Sequence, residues 1–160
     1  MTTKARAGTQ DRRLHALIFL AALMALGHHI DHVIRGNHVG WPLNEEVNAF
    51  TYSLAIYPVL LIGLYLYRSH RVGPSFWVFP SAGGALFVGF IHFGPAAVEP
   101  PPDIIDHYEP RFLGWLAFGW LVAFIGVLVL ASVYEAMLAS RRRRAERGSP
   151  VARRTDGAAR

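Results

Sequence analysis

The sequence contains no cysteine. That excludes disulfides, thiolate metal sites, iron–sulfur clusters and c-type haem attachment, whatever the compartment. Lysine occurs once, at Lys4, so nearly all positive charge is arginine. Acidic residues are few, 11 of 160, and none falls within four long apolar blocks, 14–30, 50–67, 76–93 and 112–133. The blocks do not alternate with period two, which argues against a barrel. The glycines form no GxGxxG or P-loop pattern, and the few serines are not near the histidine cluster that ends the first block, so no Ser-His-Asp order is suggested. There is no internal repeat and no second, soluble domain.

What the chain does have is hydrophobic sequence, 52% of its residues. Each block is close to the roughly 20 residues that an α-helix needs to cross a bilayer. Only helices and closed barrels satisfy every backbone group in lipid. The expected fold is therefore an all-α membrane protein, a four-transmembrane-helix bundle with helices near 12–35, 49–68, 75–94 and 111–138. The bundle spans 12–140, between a disordered polar N-terminus, 1–11, and a disordered Arg-rich tail, 141–160. Gly36 is a natural stop for the first helix, and Pro58 is expected to kink the second.

The net charge is +5, but its distribution argues against nucleic acid. Lys4, Arg6, Arg12 and Arg13 precede the first block, Arg68 and Arg71 fill the second connection, and Arg141 to Arg144 follow the fourth. The first and third connections carry Asp31, Glu45, Glu46, Glu99, Asp103, Asp106 and Glu109 against Arg35 and Arg111. The positive-inside rule then places both termini in the cytoplasm and the first and third connections outside. Trp41 is expected at the outer interface. The arginine run 141–144 sets topology and is suited to anionic lipid, at about 1 kcal/mol per charge. The expected location is a cell membrane, and the Arg- and Ala-rich composition is compatible with a bacterial inner membrane. A basic start followed by an apolar core and Ala25-Leu26-Gly27 also fits a cleaved signal peptide, which would leave three spans. The apolar run continues past Gly27, as an uncut helix would.

Histidines gather where the first block ends: His28, His29, His32 and His38, with Asp31 among them. At 100° per residue, Ala21, Ala25, His28 and His32 fall within a sector of roughly 60°, and Ser81, Ala85, Gly89 and His92 within roughly 80°. Each stripe of small residues leads to histidine, and such stripes let membrane helices approach closely. The expected metal ligands are His28, His32 and His92, with Asp106 and His107 supplied by the third connection. His29, Asp31 and Asp103 are expected to orient the ligands or replace them, with Asp31 holding a histidine. Imidazole and carboxylate without thiolate suit zinc, iron, copper or manganese. The competing reading is a set of histidines tolerated at the membrane boundary, bonded to loop backbone. Glu135 is expected to snorkel or to pair with a tail arginine. His15 and His70 are expected to be solvated, and the role of His38 is not legible.

The stretch His28-His29-Ile30-Asp31-His32 resembles a His box of the membrane di-iron hydroxylases and desaturases, over five residues. Those families use further boxes on the cytoplasmic side, whereas the charge pattern here points the cluster outward, so their activity is not carried over. The arrangement of short spans is similar to small b-type cytochromes and to sterol-isomerase-like membrane proteins in architecture alone. Four functions compete: a metal centre for redox or hydrolytic chemistry at the outer leaflet, a b-type haem electron carrier, a binder of lipid or small apolar molecules, and an accessory subunit. The last two include a homo-oligomer or a membrane partner.

Overall fold

The structure, a computed structural model, describes residues 3–36 and 48–147. Its helices are α1 (Thr3–Arg35), α2 (Ala49–Ser53), α3 (Ile56–Arg68), α4 (Pro74–Phe93), α5 (Pro101–Ile105) and α6 (Arg111–Arg147). No strand occurs among the described residues. Four segments are long and apolar enough to cross a membrane: Arg12–Arg35, Ala49–Arg68, Pro74–Phe93 and Arg111–Ala145. The all-helical class and the four candidate spans are as the sequence predicts. Trp41 and His38 lie outside the described residues.

Local chemistry explains most helix ends. Gly36 sits at φ 70°, and its N–H reaches the carbonyls of His32 and Val33 at 3.2 Å each. Glycine takes this left-handed conformation without a Cβ penalty, so α1 stops there. Pro74 opens α4 behind Gly73, where its missing N–H costs nothing. The second span is broken between α2 and α3 at Leu54 and Ala55, not at Pro58 itself. A proline inside a helix has no N–H to give and crowds the carbonyl four residues earlier, here that of Leu54. Residues 3–11 extend α1 at its start, and 141–147 extend α6 at its end. Extending an existing helix needs no new nucleus, and Ala, Arg and Glu propagate one well.

The long α6 is the spine of the fold and packs along both α4 and α1. Leu14, Ile18, Tyr67, Trp77 and Leu138 form one buried cluster, and Met24, Ala25, Phe124 and Leu128 a second. Gly27 admits the Trp120 indole, whose Nε1–H donates to the Met24 carbonyl at 2.9 Å, and a Cβ at Gly27 would lie 2.5 Å from that ring. Outside the bundle, Phe19, Leu61, Phe79 and Leu86 are 70–84% exposed. An apolar outer surface of this kind suits lipid rather than water.

Gly114 fixes the turn that follows α4. A Cβ there would lie 2.1 Å from the carbonyl oxygen of Ile105, so α5 rests directly on the α6 backbone. Gly114→Ala forces α5 off α6 and is expected to cost about 1–3 kcal/mol. Thermal unfolding in mild detergent measures it, and an unchanged midpoint would mean that α5 does not dock there.

Candidate metal centre

The histidine ends of the stripes on α1 and α4 do meet, although each helix packs mainly on α6. His28 and His32, one turn apart on α1, and His92, in the last turn of α4, are all buried. One ring nitrogen from each lies within 4.8 Å of the others. The His28 and His32 Nε2 atoms are 3.3 Å apart. Two nitrogens bound tetrahedrally at about 2.05 Å from one ion stand about 3.3 Å apart. The His92 ring centroid is 5.2 Å from that of His28 and 5.9 Å from that of His32. Phe124 of α6 packs against His28, and Phe50 of α2 against His32.

The residue that orients this group is Glu99, just beyond α4. The chain folds back there, with the N–H groups of Val98 and Glu99 both donating to the Ile91 carbonyl. His92 Nδ1 lies 2.8 Å from the Glu99 carbonyl oxygen. A carbonyl only accepts, so Nδ1 carries the proton, and in neutral imidazole Nε2 then keeps its lone pair. The fully buried Glu99 carboxylate sets Oε2 3.5 Å from His32 Nδ1 and 3.7 Å from His92 Nδ1. A carboxylate behind Nδ1 favours the same tautomer and a more basic Nε2, as in many carboxylate–histidine–metal arrangements.

Glu99 is itself held by Arg35, whose Nη1 donates to Oε1. Arg35 is 3% exposed and also donates from Nε and Nη2 to Asp31 Oδ2, at 3.0 and 2.8 Å. Asp31 Oδ1 accepts from the Tyr108 hydroxyl at 2.6 Å. Asp31 therefore holds Arg35 and Tyr108, not a histidine as expected. Burial, and then the bond to Asp31, push the Tyr108 hydroxyl above its ordinary value of 10.0. The stability this group contributes is whole below that value and is lost as pH rises above it. Unfolding midpoints of native protein should fall above about pH 10. In Tyr108→Phe the fall should be shallower, and equal slopes would remove Tyr108 from the account.

The other expected ligands stand elsewhere. Asp106 is exposed and pairs with Arg111 at 2.7 Å. His107 is exposed beside Tyr108. Ile104 and Ile105 take the buried face of α5, so the next two residues point away. Asp103 is half-buried in the first turn of α5 and is not in the histidine group. His29 has both ring nitrogens engaged. Ser53 Oγ gives its proton to the Phe50 carbonyl at 2.6 Å, so it accepts from His29 Nε2–H at 2.8 Å. His29 Nδ1 then accepts from the Tyr57 hydroxyl at 2.7 Å. His15, expected to be solvated, packs edge-on against Tyr67.

A cavity of about 390 Å³ opens beside the centre, between α1, α4 and the broken second span. His28, His32 and His92 line it at one end, and Ile18 and Trp77 toward the other. Most of its wall is apolar. Ala21 and Ala25 of the first stripe and Ser81 of the second line it, and their small size leaves the space open. Glu135 also departs from expectation. It is fully buried and accepts from Ser81 Oγ at 3.1 Å, and among the described residues no tail arginine pairs with it.

Comparison with family models, curated proteins and solved structures returns no match, so the functional reading rests on these residues.

Proposed function

We propose that the chain is a membrane metalloprotein that binds one transition-metal ion, best suited to zinc, through His28, His32 and His92. The observation that carries this is the convergence of three buried imidazoles from two helices at the end of an apolar cavity. Three protein ligands leave a coordination position open, which distinguishes catalytic zinc sites from closed structural ones. When bound, the ion supplies Lewis acidity and activates water at neutral pH. The reaction class this supports is hydrolysis of a membrane-resident substrate, with the apolar wall receiving its hydrocarbon part. His28, His32 and His92 hold the ion, Glu99 positions His32 and His92, and Phe50 and Phe124 limit water around the rings.

The b-type haem reading is less well supported. His28 and His92 approach edge to face at 5.2 Å between centroids, which leaves no slot between them for a macrocycle. The charge pattern supports a cell membrane with the centre at the outer leaflet, as in a bacterial inner membrane. Arg141, Arg142, Arg143 and Arg144, all exposed on the end of α6, suit contact with anionic lipid on the opposite side.

Elemental analysis of protein purified in mild detergent tests the reading. About one metal ion per chain is expected, with none in His28→Ala/His32→Ala. Metal-free native protein, purified without chelator and unable to take up added zinc, would overturn it.

A further inference from the structure

Glu135 has no part in the centre above, yet an acid buried inside a membrane span is costly without a role. It lies in α6, faces α4 and is fully buried. Ser81 Oγ reaches Oε1 at 3.1 Å, while Oε2 has no hydrogen-bond partner. Among the described residues no cationic side chain pairs with it. Trp77 stands one turn from Ser81 on α4, 1% exposed, and its Nε1–H is also without a partner. Both Ser81 and Trp77 line the cavity.

An isolated ionised carboxylate in apolar surroundings costs far more than a neutral acid, because no counter-charge replaces the lost hydration. The bonding pattern fits the neutral form. A carboxylic acid has one carbonyl oxygen and one O–H. Oε1 accepts from Ser81 as the carbonyl, and Oε2 is left for the proton. We propose that Glu135 is a proton-holding site, a neutral carboxylic acid that exchanges its proton with the cavity by way of Ser81. For exchange the carboxyl group rotates so that its O–H faces Ser81 Oγ; that proton passes to Ser81 while the Ser81 hydroxyl gives its own to water or a hydroxyl group in the cavity, and no bond to carbon is made or broken. The unpartnered N–H of Trp77 marks the same end of the cavity as able to hold water, which needs polar partners.

Infrared spectroscopy of the full chain in lipid vesicles at neutral pH tests this. The carbonyl band of a protonated carboxylic acid should be present, lost entirely in Glu135→Gln, and displaced in Ser81→Ala, where the carbonyl loses its donor. In heavy water the band should shift as the proton exchanges. Gln is neutral and nearly isosteric, so the fold should hold. The Ser81→Ala and heavy-water readings do not depend on that variant. A protonated-acid carbonyl region that is the same in native and Glu135→Gln protein would show an ionised Glu135 and overturn the proposal. A band that does not move in heavy water would show a sealed proton and overturn the exchange.

Discussion

Glu99→Gln should weaken zinc binding by about 10–100-fold while leaving all three histidines in place. The change keeps size but removes the charge behind His32 Nδ1 and His92 Nδ1. The backbone carbonyl of Glu99 still accepts from His92, so the loss should be smaller than that of a ligand. His92→Ala should cost more than a hundredfold, because it removes one of three bonds to the ion as well as its orienting contact. Zinc titration against a chelating competitor measures both. Equal affinities for native and Glu99→Gln protein would mean that Glu99 serves the fold alone. Full affinity in His92→Ala would move the site off α4.

Removing the Glu99 side chain altogether should unfold the histidine end of the bundle. Arg35 is 3% exposed, and Glu99 supplies one of its two carboxylate partners. Breaking a buried pair from one side costs about 3–5 kcal/mol, since the remaining charge is left in a poor solvent. Glu99→Ala should lose that much in thermal or denaturant unfolding in detergent. Arg35→Met combined with Glu99→Ala should recover part of it, because no lone charge then remains inside. The double variant leaves Asp31 with the Tyr108 hydroxyl, so recovery should be incomplete. A double variant no more stable than Glu99→Ala would show that Arg35 finds water or another partner when Glu99 is gone.

These two results separate positioning from packing. Glu99→Gln changes charge but keeps volume and leaves Arg35 an amide oxygen to donate to, so its effect on zinc should exceed its effect on the fold. Glu99→Ala removes charge and acceptor together and reads the fold. The metal-free form should show the stability loss of Glu99→Ala undiminished, because the Arg35 pair does not depend on an ion.

The span count and the histidine faces were legible because both are local. Four apolar blocks of near-membrane length follow from composition within a window. The pairing of Ala21 and Ala25 with His28 and His32, and of Ser81 and Ala85 with His92, follows from 3.6 residues per turn. Helical periodicity says which side chains share a face, and small residues say which faces can come close. The stop at Gly36 is likewise a property of a single residue.

What lay beyond reach depended on turns and on competition between partners. Glu99 stands seven residues after His92, across a fold-back that no helical repeat describes. Its carboxylate meets α1 only because the chain reverses over the end of α4. Asp31, next in sequence to His32, looked like the orienting acid, yet Arg35 lies one turn away and takes it first. Asp106 and His107 looked like ligands because the connection that carries them crosses the same end of the bundle. The two isoleucines before them claimed the buried face of α5 and turned them outward. Pattern along the chain thus determined the helices, their apolar faces and the three histidines that could hold a metal ion. The tertiary structure alone decided which acid sits behind those histidines, because a buried charge settles where the fold brings its counter-charge, not where the sequence places a neighbour.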